Sequence, residues 1–154
     1  MTQEDKKLLL TDLSARLPYG VKLQVRLDYG DNNHKEGIYD AEIDAITSYN
    51  IEVTYYDANT GGKARDWTFM YEEVKPYLRP MESMTEEEDN EWNGLNIDPL
   101  LEAVKERHTR IEDLMLRAKS QYKPIDWLNA HHFDYRGLIP KGLALEAPEG
   151  MYLY

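Results

Sequence analysis

The chain has 154 residues, 42% apolar and 31% charged, which is the composition of one globular domain, or of a small domain with a helical extension, and not of a disordered chain. Its formal net charge of −11 disfavours direct binding to nucleic acid or to an anionic membrane, because such affinity depends on basic patches. Cysteine is absent, so disulfides and sulfur-based zinc sites are excluded, and we expect a cytoplasmic protein. No apolar run approaches the ~20 residues that cross a bilayer, so membrane spans are excluded as well.

The first predicted element is an amphipathic helix from about Gln3 to Arg16. Thr2 followed by Asp5 is a capping signal, and Pro18-Tyr19-Gly20 ends the helix. Leucines at helical spacing give it one apolar face: Leu8, Leu9, Leu10, Leu13 and Leu17.

Five short strands are predicted next, because apolar and polar residues alternate through each of them. They are VKLQVRLD, IYDAEIDAIT, IEVTYYD, RDWTFMYE and Lys75–Leu78. Strands that follow one another through short turns favour a small antiparallel barrel, closed or nearly so. The order of elements resembles that of SH3-like and Sm-like barrels, because it has an initial helix, a long second strand and a single turn at Glu72-Glu73-Val74. This resemblance is one of pattern, and it implies a fold without implying a function.

An acidic joint follows the strands. From Glu82 to Asp98 there are seven carboxylates and neither Lys nor Arg. Thr85 with Glu88 is a capping box that opens a short helix through about Trp92. The joint has three interpretations, which are a solvated linker helix, a dock for a basic partner, and mimicry of DNA phosphates; charge runs are usually solvated, which favours the first.

A long helix is predicted to begin at Asp98-Pro99, with Asp as N-cap and Pro at the first helical position. A coiled-coil-like seam on it would allow a homodimer. The seam consists of Leu101, Val104, His108, Ile111, Met115, Ala118 and Tyr122. Pro124 starts another short helix, and the apolar, aromatic tail after it is expected to pack.

These patterns define an α+β protein with three segments. Residues 1–80 form the small barrel with its N-terminal helix, residues 81–98 form the acidic joint, and residues 99–154 form a helical region with a packed tail. The sequence does not show whether the third segment is a separate domain or a cover for the barrel.

Two groups of side chains suggest a metal site. Asp40, Glu42 and Asp44 share one strand face and could hold a hard cation, but pairing with Lys22 and Arg26 on the preceding strand is the favoured interpretation.

The neighbouring His131 and His132 would point about 100° apart on a helix, so we expect one to be buried against Trp127 or Phe133 and the other to lie at the surface. The serines lie in no nucleophile elbow, and there is no phosphate loop or metalloprotease motif. We therefore predict no enzyme, no cofactor and no metal.

Aromatic residues are the remaining candidates for recognition. Eight tyrosines lie in residues 1–80; without interleaved basic residues they fit a core or a protein interface better than a base-stacking surface. A cluster in the tail is either plain core or a partner-binding surface of the aromatic-plus-Arg kind. Its predicted partner-binding residues are Trp127, His131, His132, Phe133, Tyr135 and Arg136.

Two segments, VKPYLRPMESMTEEE (Val74 to Glu88) and IDWLNAHHFDYRGLIPKGLALEAPEGMY (Ile125 to Tyr152), resemble segments of small uncharacterised proteins carried by bacterial prophages and other mobile elements. The resemblance implies an accessory cytoplasmic protein and no chemistry.

The function predicted from the sequence is a non-enzymatic protein–protein interaction module of unknown partner. The alternative is a nucleic-acid-directed protein, either an Sm-like RNA binder or an acidic DNA mimic that inhibits a nucleic-acid enzyme. A hydrolase that uses Asp or His with a metal is a second rival.

Overall fold

The structure is a computed structural model, and it describes residues 1–28, 36–57, 62–95 and 124–152. The first helix, α1, spans Gln3–Arg16 as predicted. Its capping box forms, because the Asp5 amide donates to the Thr2 hydroxyl and the Thr2 amide donates back to the Asp5 carboxylate. A one-turn helix at Leu17–Tyr19 follows, and Gly20 ends it in the left-handed region at φ 67°.

One six-stranded sheet follows, in the order β4-β3-β2-β1-β5-β6. The first five strands pair antiparallel and each overlaps one of the five predicted segments, whereas β6 pairs parallel with β5. A one-turn helix at Tyr71–Glu73 joins β4 to β5. The strands are β1 Lys22–Leu27, β2 Gly37–Ile46, β3 Asn50–Asp57, β4 Gly62–Met70, β5 Val74–Leu78 and β6 Leu145–Glu146.

The predicted fold class is correct as α+β with an N-terminal helix, but the closed five-stranded SH3-like or Sm-like barrel is wrong. The sheet is open and mixed. The tail contributes β6, which occupies the edge of β5 that faces away from β1, and closure onto β4 would need that edge. Within the described ranges no pairing joins β4 to β5 or to β6, so both outer strands remain edges.

The described helices of the second half are short. A one-turn helix lies at Met81–Ser83, α2 spans Glu86–Leu95, and α3 covers residues 124–130. The predicted long helix after Asp98-Pro99, and the homodimer seam on it, lie outside the described residues. Among the helices that are described, none has the length and apolar character needed to cross a bilayer.

The main hydrophobic core lies between one face of the sheet, α1 and the tail. Leu9 and Leu13 of α1 are fully buried, as are Leu23 and Val25 of β1. Leu138 of the tail belongs to the same cluster and has 0% exposure. The predicted packing of the tail is therefore confirmed, and the tail shares a core with the segment before the acidic joint.

A second, smaller core joins α2 to α3. Trp127, Leu128 and Phe133 are buried at its centre, and Trp92 and Leu95 of α2 pack against them. This contact fixes the acidic helix next to the tail and so positions the candidate site.

Candidate functional site

The six predicted partner-binding residues lie together, but half of them are buried. Phe133 has 0% exposure, His132 3% and Trp127 8%. His131, Tyr135 and Arg136 are partly exposed. The cluster is therefore mainly a structural centre, with only part of its surface available to another molecule.

Phe133 organises this centre through both its ring and its backbone. Its ring stacks on Trp127 with centroids 5.8 Å apart, and the Arg79 guanidinium lies 4.2 Å from the ring centroid. Its carbonyl accepts a hydrogen bond of 2.7 Å from Arg16. Residues from α1, the end of β5 and the tail thus meet at one residue, through its ring and its carbonyl.

A buried ion cluster ties α1 to the tail. Arg16 and Asp12 are both fully buried and form a bidentate pair, with N–O distances of 2.8 and 3.0 Å. Arg136 reaches the same carboxylate at 2.8 Å. Since Asp12 accepts from both guanidinium groups, it holds together two segments that are distant in sequence.

Asp134 caps the turn that follows it. Its two carboxylate oxygens accept the backbone amides of Leu138 and Ile139, each at 2.8 Å. Arg136, two residues further on, bonds to Asp12 and not to Asp134. This capping places Leu138 in the core.

The two neighbouring histidines contact different aromatic rings. His131 stacks on Trp127 at 3.9 Å between centroids, whereas His132 is buried and stacks on Tyr152 at 3.8 Å. The expectation of one buried histidine is correct, but its partner is Tyr152. The imidazoles do not converge on one ion, and within the described residues no cluster of three or more His, Asp and Glu side chains is placed to hold a metal.

The electrostatics around His132 are unusual. Burial, together with the nearby positive charge of Arg16, lowers the pKa of His132 to about 4. Its backbone has φ 58°, a left-handed conformation that is uncommon for residues other than glycine. His132 is therefore neutral near pH 7 and held in a demanding position.

The carboxylate row on β2 is divided among separate contacts. Asp40 accepts from the Tyr77 hydroxyl at 2.9 Å, and Asp44 accepts from Thr54 at 2.8 Å. Glu42 lies opposite Lys22 in the β1–β2 register. Arg26, predicted to pair with this row, instead forms an ion pair with Asp28.

An acidic groove lies between the start of α2 and the tail, with a volume of about 730 Å³. Four glutamates line it, which are Glu87 and Glu88 of α2 and Glu146 and Glu149 of the tail. Arg79 binds Glu88 bidentately at 2.6 and 2.8 Å, and hydrogen bonds from Arg79 hold the pKa of Glu88 down at about 2.

Sequence reasoning identified only half of this groove. The acidic joint is visible as a charge run, but Glu146 and Glu149 lie almost sixty residues later and show no pattern that connects them to it. The i, i+4 spacing of Asp12 and Arg16 was an available signal for the buried pair.

Comparisons of the chain with protein-family models, with curated proteins and with solved structures find no match. The function is therefore argued from the geometry of these sites.

Proposed function

We propose that this protein is a non-enzymatic interaction module that binds a basic segment of a partner protein in the acidic groove. The observation that carries the proposal is that two acidic stretches, distant in sequence, line one groove of about 730 Å³. The non-enzymatic character is supported by the structural engagement of the nearby ionisable groups, since Asp12, Asp134 and Glu88 each bind a guanidinium or backbone amides.

The charge of the groove favours lysine and arginine side chains. Arg79 neutralises Glu88, while Glu87, Glu146 and Glu149 are exposed to solvent. Pro80, Pro148 and Tyr152 also line the groove and offer apolar surface to the methylene stems of those side chains. The net charge of −11 would accelerate encounter with a basic partner at low salt.

The location and origin of the protein belong to the same proposal. The absence of cysteine supports a reducing cytoplasm. The resemblance of two segments to proteins of prophages and mobile elements supports an accessory role.

The proposal is tested with a fluorescent, lysine- and arginine-rich peptide of about ten residues, with fluorescence anisotropy as the readout. We expect binding that weakens steeply as salt increases, because exposed charges are screened. The triple variant Glu87→Gln, Glu146→Gln, Glu149→Gln should bind roughly tenfold more weakly or worse, since each lost rim charge removes up to about 1 kcal/mol.

The matched control removes three exposed carboxylates elsewhere, in the variant Glu4→Gln, Glu42→Gln, Glu72→Gln. It carries the same net charge as the groove variant and should retain most of the binding. Equal weakening in both variants would mean that the peptide responds to total charge and not to the groove.

The alternative of an acidic DNA mimic is separated by a second assay. A mimic would inhibit a DNA-binding enzyme and compete with duplex DNA, and the basic peptide would not need to enter the groove. If the groove binds a basic peptide, we expect no inhibition of such an enzyme through the groove. Inhibition that the control variant retains and the groove variant loses would instead assign the groove to DNA mimicry. Affinity capture with the groove variant as the reference then identifies the partner.

A further inference from the structure

Tyr152 joins the tail to the sheet by hydrogen bonds at the point where the pairing of β1 with β5 ends. Its hydroxyl accepts the Lys22 amide at 3.0 Å and donates to the Tyr77 carbonyl at 2.9 Å. Leu23 and Pro76 form the last backbone pair of that ladder, so the hydroxyl occupies the place of the next rung. One side chain from the tail thereby joins two strands.

The part of the tail from β6 onward is held by few contacts. β6 contains two residues, and the Ala147 amide donates to Leu78 at 2.8 Å. Beyond that point the ring of Tyr152 rests on the buried ring of His132. After Ala147, the position of residues 148–152 therefore depends on the His132–Tyr152 stack, on the Tyr152 hydroxyl and on a 3.5 Å contact from Lys22 Nζ to the Met151 carbonyl.

The surroundings of His132 do not accommodate a second proton on its ring. Its Nδ1 is buried without a hydrogen-bond partner among the described residues. The charged or titratable groups around it are Arg16 of α1, Arg79 at the end of β5, the neighbouring His131 and Tyr152 of the tail, and the ring also has a hydrogen bond with the backbone of Tyr19. Three of these groups carry or can acquire positive charge, and none supplies a carboxylate.

We propose that His132 and Tyr152 form an acid-sensitive latch, in which protonation of His132 expels its ring and releases residues 148–152 from β1 and β5. The imidazolium needs two acceptors and a low local positive potential, whereas the buried site offers the Tyr19 backbone as one acceptor, leaves Nδ1 without another, and lies close to Arg16 and Arg79. Release exposes the imidazolium to water and frees the Lys22 amide and the Tyr77 carbonyl.

The depressed pKa of His132 gives the sign and the range of the effect. The proton binds with a pKa of about 4 in the latched form and near 6.5 when released. The released form therefore gains population as the pH falls below 6.5. Linkage gives an increase in the release constant of roughly 30-fold at pH 5 and roughly 150-fold at pH 4, relative to pH 7.5. Glu88, with a pKa of about 2, keeps its pair with Arg79 through this range.

The latch also has a consequence for binding. Tyr152 and Glu149 line the acidic groove, so release of the tail would change the shape of that groove. This consequence rests on the proposed function, whereas the latch itself does not.

The test is amide hydrogen exchange of the full chain, followed by NMR between pH 7.5 and 4.5 and expressed as protection factors. We expect protection of the Lys22 amide to fall roughly 30-fold by pH 5, while the interior amides of β1 keep theirs. His132→Asn, which suits a positive φ and does not titrate here, should remove the pH dependence. Tyr152→Phe, which keeps the ring, should leave the Lys22 amide weakly protected at every pH.

Three results would overturn the latch. These are protection of the Lys22 amide that does not change with pH, a loss shared by all amides of β1, and the same pH dependence in His132→Asn. If His132→Asn does not fold, the ring-proton titration of His132 in the native protein replaces it. A midpoint near 6.5 without loss of Lys22 protection would then reject the proposal. The peptide assay at pH 7.5 is unaffected by these results and tests the groove separately.

Discussion

The sheet and the tail are both buried, but they are held by different forces. In β1, Leu23 and Val25 face the core in strict alternation with polar residues, and apolar burial fixes the strand. The tail around Phe133 is irregular, and it is held by guanidinium, carboxylate and aromatic contacts to residues more than a hundred positions away. Regular segments are thus stabilised by many equivalent contacts, whereas the tail depends on a few contacts that cannot replace one another.

The largest effect on the contacts that hold the tail is expected from Asp12→Ala. The substitution leaves Arg16 fully buried without its carboxylate and also frees Arg136, and removal of one partner from a buried pair costs about 3–5 kcal/mol. We expect a loss of that size in the free energy of unfolding, measured with urea.

Two further variants complete this measurement. Asp28→Ala breaks the exposed pair with Arg26 and should cost less than about 1 kcal/mol. Asp12→Asn retains a hydrogen-bond acceptor and should fall between the two. Similar losses for Asp12→Ala and Asp28→Ala would show that the buried cluster does not hold the tail.

A second comparison uses one core position from each region. Leu23→Ala in the sheet and Leu138→Ala in the tail each remove a side chain with 0% exposure from the same cluster, at a cost of about 2–5 kcal/mol. We expect both variants to unfold in a single transition at lower urea concentration. A Leu138→Ala variant that loses only the tail signal, with the sheet transition unchanged, would show that the tail unfolds on its own.

Controls aside, the smallest expected effect is that of Glu88→Gln. Because the pKa of Glu88 is lowered to about 2 from 4.5, its contribution to stability is fully present above pH 4.5 and is lost as the pH falls toward 2. Allowing for its partial exposure, this contribution is about 1–2 kcal/mol. Glu88→Gln should flatten the stability curve between pH 4.5 and 2.

The control for this pH dependence is Glu87→Gln on the same helix. Glu87 is exposed, so its substitution should leave the slope of the curve unchanged. A slope that survives in Glu88→Gln would assign the acid sensitivity to another group.

The sequence predicted the regular part of the fold because periodic burial leaves a periodic pattern. The cap of Thr2 with Asp5 and the leucines after it determined α1, and alternation located the first five strands. The open sheet was not predictable in this way, because β6 consists of Leu145–Glu146 alone, and two residues are too few to show a period.

The candidate site was less visible for a related reason. Trp127 and Phe133 could be recognised as a cluster from their composition, but their burial depends on Arg79 and Arg16, which belong to other elements. Likewise, Glu149 resembles any surface glutamate until the tail folds across the start of α2. Contacts between single residues far apart in the chain leave no local signature.

The rung that Tyr152 supplies between β1 and β5 joins positions 130 residues apart. During synthesis on a ribosome, Lys22 leaves the exit tunnel long before its hydrogen-bond partner has been translated. α1 can dock against the early strands before Tyr152 is translated. The hydrogen bonds that Tyr152 makes at this edge can form only afterwards. The nascent chain therefore keeps the Lys22 amide without this partner until Tyr152 has been translated, and an incompletely paired strand end of this kind is open to wrong pairing.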